Sequence, residues 1–269
     1  MIELTLQTIL AFMLLGAVVG FMAGLLGIGG GGIMVPVLTS LLLSHNVPPA
    51  DVMHLALGTS MASIIVTSAA SMIAHHQHQG VIWELVKKIT PGVLFGTVFA
   101  TYWVSVMQAE VLAIFFSVFM AYVSIQMFLN FQVKPERKLP DTLPLCFAGG
   151  GIGAISALVA IGGGTLTVPY LTWHNINLKQ AIGTSAAVGF PIAIAGTIGY
   201  MINGWSYQSN TEYLYGYVYL PAVLLISLVS YTTAPMGAKM AHQLPIPILK
   251  KIFACFLIFL SLKMLLSII

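Results

Sequence analysis

Two runs of glycine interrupt an oily sequence: Gly29, Gly30 and Gly31 inside "GIGGGGIMVP", and Gly162, Gly163 and Gly164 inside "AIGGGTLTVP". Consecutive glycines break a helix, and a helix that restarts after them has first N–H groups without a carbonyl partner of their own. Such a start carries partial positive charge and binds anions through the backbone alone, and glycine lets a ligand approach that backbone closely. A second paired motif, "GTS", adds hydroxyl donors at Thr59 and Ser60 and again at Thr184 and Ser185. Together these ten residues are the candidate binding site, and their chemistry is recognition of a multi-oxygen anion by neutral donors. Valine at Gly30 or Gly163 is expected to intrude on the backbone–ligand contact and impair transport rather than folding. Close packing of helices is the expected role of Gly16, Gly20, Gly149 and Gly153. Intramembrane Ser and Thr also back-bond to their own helix, the alternative for the four hydroxyls.

The elements that must position these groups follow from composition. Of 269 residues, 58% are hydrophobic and only 6% charged, and the mean hydropathy is +0.97. That is an all-α polytopic membrane protein. A net charge of +3, scattered over short loops, gives no nucleic-acid partner. Cys146 and Cys255 both lie in apolar segments and form no disulfide framework. Eight stretches are long enough to span a bilayer: Leu4 to Leu26, Val52 to Ala74, Ile89 to Gln108, Val111 to Asn130, Thr142 to Ala160, Gln180 to Ile202, Val218 to Met240 and Ile248 to Ile268. Two pieces, Ile33 to Ser44 and Thr165 to Trp173, are about half that length and each follows a glycine run; they read as half-helices or re-entrant segments.

The glycine runs align at an offset of 133 and the "GTS" motifs at 125, a difference assigned to eight residues missing from one connecting loop. The chain is thus an internal duplication, residues 1–133 and 142–269, joined by a charged linker at 134–141. If each half-length piece returns the chain to the side it came from, Lys87, Lys88, Lys134, Arg137, Lys138, Lys179, Lys239, Lys250 and Lys251 share one side, and only Lys263 lies near the other. The positive-inside rule then gives two inverted repeats, both termini extracytoplasmic and the linker in the cytoplasm. Inverted repeats with broken helices in matching positions belong to transporters whose site lies near the bilayer midplane.

Other motifs carry less. Gly27, Gly29 and Gly32 fit a dinucleotide-binding G-x-G-x-x-G, but a membrane-length helix precedes them instead of a short strand. The cluster His75, His76 and His78 has no evident counterpart in the second half, which reads "YMING". It is expected to be a solvated or lipid-facing loop, dispensable and not a metal site. His54 and Lys179 occupy matching positions near span ends, where either attracts an anion or snorkels to the interface. Two rivals remain: a cation or metal-ion transporter using His and backbone carbonyls, and a metal-dependent membrane enzyme.

The glycine–proline runs, the paired "AxGTS" elements and "APMGAKMAHQLP" at Ala234 to Pro245 resemble the TauE/SafE family of sulfite exporters over almost the whole chain. The resemblance implies a transporter, not an enzyme, with no cofactor. It would export sulfite, sulfonates or related small sulfur-containing anions across the cytoplasmic membrane. Ala160 and Thr165 stand where the first run has Gly27 and Gly32, so the two half-sites are not equivalent. Whether the protein forms a homo-oligomer is left open.

Overall fold

The computed structural model describes residues 4–27, 29–129, 139–206, 213–241 and 246–268, without the side chains of 246–250, 252 and 268. The described residues form ten helices: α1 (Leu6–Leu26), α2 (Gly31–Ser44), α3 (Pro49–Gln77), α4 (Trp83–Val106), α5 (Ala109–Phe128), α6 (Thr142–Leu158), α7 (Gly164–Trp173), α8 (Leu178–Asn203), α9 (Leu220–Ala241) and α10 (Ile246–Ile268). A two-residue hairpin, β1 (Leu214–Tyr215) with β2 (Val218–Tyr219), precedes α9, so the span expected from Val218 begins at Leu220. Among the described residues α1, α3, α4, α5, α8 and α9 are long and apolar enough to cross a membrane. With 17 residues, α6 sits at the short end of that range, and α10 has 23. The protein is an all-α polytopic membrane protein. Most of the linker expected at 134–141 lies outside the described residues.

Large apolar side chains turn outward: Phe95, Phe99, Trp103, Phe115, Val118 and Phe147 are all exposed. In water such a surface would be a liability; in a bilayer it is the solvent-facing side. Cohesion therefore comes from close backbone contact rather than from hiding apolar area. A Cβ on Gly16 would meet the Ile226 carbonyl oxygen at 2.5 Å, and Cβ atoms on Gly20 and Gly24 would overlap Ser230 and Ala234. These three residues lay α1 along α9, and the rising numbers on both sides make the pair parallel. The same contact occurs between α6 and α4, where Gly149 faces Ile89, Gly153 overlaps Val93, and Gly92 and Gly96 overlap Cys146 and Gly150. The four glycines read as packing residues, Gly16, Gly20, Gly149 and Gly153, are packing residues.

Each half-length helix doubles back. Thr8, at the start of α1, donates from its hydroxyl to Nε2 of His45, just past the end of α2, at 3.2 Å. In the second half the start of α8 lies against Gly80, just before α4, the helix that runs parallel to α6. The turn that closes each half-helix has one design. His45 and His174 each donate from Nδ1 to the carbonyl four residues back at 2.8 Å, Asn46 and Asn175 take positive φ of 58° and 66°, and Val47 and Ile176 donate to Leu42 and Leu171 at 3.1 Å.

This turn relocates the eight missing residues. They are not lost from a loop: α2 has 14 residues and α7 has 10, and Gly58 is the tenth residue of α3 where Gly183 is the sixth of α8. One helical turn is absent from each arm. Removing four residues, close to the 3.6 of a turn, shortens a helix while keeping its faces, so "GTS" stays level with the glycine run.

Candidate functional site

The two glycine runs touch. A Cβ on Gly29 would lie 2.7 Å from both Cα and N of Gly162, and one on Gly31 would overlap the Ala160 carbonyl oxygen. Cβ atoms on Gly29 and Gly162 would each stand 3.4 Å from the Ile64 side chain of α3, and one on Gly189 of α8 would stand 2.5 Å from the Gly162 oxygen. The centre of the molecule is therefore a backbone-to-backbone contact, wedged between the two long helices α3 and α8.

Local geometry explains the breaks. Gly27 ends α1 in the left-handed region at φ 69°, its N–H bonded to Ala23 at 2.8 Å, the familiar glycine stop. Its counterpart Ala160 takes the same region at φ 46°, which costs an alanine about 1–2 kcal/mol. Gly30 and Gly163 then cap α2 and α7 at φ 81° and 78°. The first N–H groups bonded back within each helix are those of Ile33 in α2 and Leu166 in α7, both at 3.1 Å. Those of Gly31 and Gly32, and of Gly164 and Thr165, precede them, the donors that a helix start leaves over. The two helix starts thus lie close to one another at the contact of the runs.

Valine at Gly30 or Gly163 has a different consequence from the one expected. A side chain at Gly30 would overlap Val19 of α1, and one at Gly163 would stand 2.7 Å from Ile192 of α8, both on left-handed backbone. These two glycines are demanded by folding.

A narrow cavity opens beside the contact. Its walls are Ala23 and Gly27 at the end of α1, Gly29 and Gly162 of the two runs, Ser68 and Ser71 of α3, and Ala186 of α8. It is too tight for a water-sized sphere, and none of these walls is charged. Ser71 is 2% exposed and its hydroxyl has no hydrogen-bond partner among the described residues. Ser68 and Ser71 went unnoticed in the sequence; the signal was there as a helical stripe, Ser60, Ser63, Thr67, Ser68 and Ser71, one face of α3.

The "GTS" hydroxyls divide into two kinds. Thr59 accepts the N–H of Tyr219, at the start of α9, at 3.0 Å, and Thr184 accepts the N–H of Ile82, which caps α4, also at 3.0 Å. Each threonine thus caps a helix of the opposite half. Ser185 donates to Ile182 at 2.8 Å and to Gly27, the end of the first run's preceding helix, at 3.2 Å. Ser60 is fully buried with no partner among the described residues.

The histidine cluster is not one solvated loop. His76, accepting from Trp83 at 3.1 Å, and His78 are exposed, but His75 is 1% exposed and donates from Nε2 to the Gly24 carbonyl at 2.9 Å. At the "GTS" offset its counterpart is Tyr200, the first letter of "YMING". The Tyr200 hydroxyl donates at 2.8 Å to Ala157, which is itself the counterpart of Gly24. The same strut occurs in both halves, built from different side chains. His54 does not snorkel: it is buried and bonded to the Val104 carbonyl at 3.0 Å, its ring tilted against that of Tyr217 with centroids 5.0 Å apart, whereas Lys179 is exposed. The Tyr217 hydroxyl, outside the spans, is pushed above its ordinary range by burial and, less, by Asp51.

Broken helices meeting at the centre of a bundle of membrane-crossing helices define a membrane transporter. The model of the family "Sulfite exporter TauE/SafE" matches residues 12–264, and the chain belongs to that family. It is 38% identical to a "Probable membrane transporter protein" of Haemophilus influenzae, over 96% of this chain and 98% of that one. It is 28% identical to a protein of the same description from Methanocaldococcus jannaschii, over 86% and 85% of the two chains. A third, from Bacillus subtilis, is 26% identical over 90% and 92%. No solved structure matches.

Proposed function

We propose that the protein exports small sulfur-containing oxyanions, sulfite and sulfonates among them, across the cytoplasmic membrane. The anion binds near the bilayer midplane, between the N-terminal ends of α2 and α7. The observation that carries this reading is the convergence of two glycine-started half-helices at the Gly29–Gly162 contact, with a cavity beside it whose walls are uncharged. Each helix start acts as roughly half a positive charge and is worth about 0.3–2 kcal/mol to an anion, depending on burial. Two starts aimed at one point, with the N–H groups of Gly31, Gly32, Gly164 and Thr165 as donors, hold an anion loosely enough to release it. A central Lys or Arg would cost about 2.5–3.5 kcal/mol on insertion. The family's name, sulfite exporter, supports the choice of anion.

In this reading residues 1–133 and 142–269 are inverted repeats, both termini lie outside the cytoplasm and the 134–141 linker lies inside. Support comes from the half-helices that double back and from the parallel pairs α1–α9 and α4–α6. The cavity is too tight for a water-sized sphere, so the anion enters when the glycine runs part. Thr59 and Thr184 hold helix starts in register across the repeats during that motion; Ser60 and Ser185 stay nearer the runs. The test is efflux from proteoliposomes loaded with sulfite, ethanesulfonate, sulfate, acetate or potassium. Efflux of the sulfur oxyanions in preference to acetate is expected; efflux of the cation with indifference to the anions would overturn the reading.

A further inference from the structure

Two trios of helices are each joined on all three sides, and each trio takes one helix from the other half of the chain. In the first, α1 lies on α9 through Gly16, Gly20 and Gly24, and a Cβ on Gly237 would overlap the Phe21 carbonyl oxygen in return. α9 is bound to α3 where Thr67 donates to Ser230 at 2.9 Å and where the Tyr219 N–H reaches Thr59. His75 closes the trio by binding α3 to the Gly24 carbonyl of α1 at 2.9 Å. The second trio has the same plan. α6 lies on α4 through Gly149 and Gly153, and a Cβ on Gly199 of α8 would overlap the Thr101 hydroxyl of α4. The Ile82 N–H, at the start of α4, reaches Thr184 of α8, and Tyr200 binds α8 to the Ala157 carbonyl of α6 at 2.8 Å. So α9 of the second repeat completes the first trio, and α4 of the first repeat completes the second.

The seam between the trios is built differently. Within each, backbone lies on backbone through glycine, the close contact that holds membrane helices together. Across the seam α3 meets α8 through the Met61 side chain, its sulfur 3.1 Å from a Cβ on Gly196, and methionine is soft and adaptable. The glycine runs touch there, and His54 and Ser185 reach across to the carbonyls of Val104 and Gly27. Moving one repeat as a block against the other would separate α1 from α9 and α4 from α6, where the helices interlock. Moving one trio against the other leaves both contacts whole.

We propose that the bodies that move in transport are these two trios and not the two repeats: α1, α3 and α9 part from α4, α6 and α8 along the line where α3 meets α8. Rigid bundles rocking about a central site are the general device of such transporters; here each bundle is assembled from both repeats. The inference rests on the export reading for its motion but not on the choice of anion.

Paired cysteines test it in the full-length protein with Cys146 and Cys255 replaced by alanine. Met61→Cys with Gly196→Cys links the trios, since the Met61 Cγ lies 3.3 Å from a Cβ at Gly196. Thr67→Cys with Ser230→Cys links α3 to α9 inside one trio, at oxygens 2.9 Å apart. The readout is efflux of ethanesulfonate, which leaves a disulfide intact where sulfite cleaves it, before oxidation, after it and after reduction. The link inside the trio should leave efflux unchanged; the link across the seam should abolish it, and reduction should restore it. Efflux that survives the completed seam link, or is lost on the link inside the trio, would overturn the proposal. Spin-label distances ask the same question without transport. Labels at exposed Leu14 of α1 and Leu228 of α9 should keep a single separation, and labels at Leu14 and exposed Val98 of α4 should show more than one. Several separations for the first pair, or one for the second, would overturn the trios. No efflux even before oxidation would overturn the export reading instead, and the label distances would then decide the trios alone.

Discussion

Thr59→Val separates two uses of one hydroxyl. Valine keeps the shape of threonine and removes the oxygen that accepts the N–H of Tyr219 at 3.0 Å in a fully buried setting. That N–H has no water to turn to, and an unpaired buried donor costs about 1–3 kcal/mol. Thr184→Val removes the matching bond to Ile82, also 3.0 Å but only partly buried, so water replaces it and the cost falls to about 0.5–1.5 kcal/mol. At roughly 2–4 °C per kcal/mol for a chain of this size, Thr59→Val should lower the unfolding midpoint by several degrees, about twice the shift of Thr184→Val. Serine at either place keeps the oxygen and should restore most of the loss. The assay is thermal unfolding of the detergent-purified variants, paired with ethanesulfonate affinity of the folded fraction, which should be unchanged. A Thr59→Val protein with the wild-type midpoint and weakened affinity would refute the strut and return Thr59 to the ligand.

Three further outcomes are expected. Gly151→Ala should raise the midpoint, because nothing lies within 4 Å of a Cβ there and the helix gains about 0.8–1.0 kcal/mol, while Gly20→Ala, pressed onto Ser230, should lower it through a loss of about 1–3 kcal/mol in stability; equal shifts would remove the packing argument. Ala160→Gly should leave folding intact or improve it, since the left-handed residue is relieved, whereas Gly27→Ala, with Ile182 and Ser185 each 2.7 Å from the new Cβ, should lose folded protein on size-exclusion chromatography. Replacing exposed His76 and His78 together with Asn should preserve efflux, but His75→Ala should cost stability by stripping the Gly24 carbonyl of its donor, a loss that His75→Gln, which keeps an N–H, should soften.

Much of the architecture was legible because membrane helices advertise themselves. All eight expected spans are helices, and both sub-length pieces are helices that start at a glycine. The small-residue faces were readable too, since Gly16, Gly20 and Gly24 can only be a close-contact edge at that spacing. What stayed hidden depended on partners far off in the chain. Nothing local says that Thr59 meets Tyr219 or that Thr184 meets Ile82, so both looked like free donors. His75 looked like part of a loop because three histidines in four positions suggest one environment, yet a helix turns 100° per residue and sends His75 inward while His76 faces out. Gly30 and Gly163 looked like ligand glycines only, because the sequence does not reveal that Val19 and Ile192 fill the space beside them. One asymmetry that was visible, Ala160 for Gly27, marks a residue in the left-handed region.

The claim on which the account rests is that an anion sits between two helix starts, and locating one tests it most directly. A structure of the purified protein with selenite or a bromoalkanesulfonate, its selenium or bromine found by anomalous scattering, gives the position without interpretation of shape. The account predicts the anion's oxygens within hydrogen-bond distance of the backbone N–H groups of Gly31 or Gly32 and of Gly164 or Thr165. An anion found instead among the lysines at the helix ends, with the glycine runs still in contact, would contradict it.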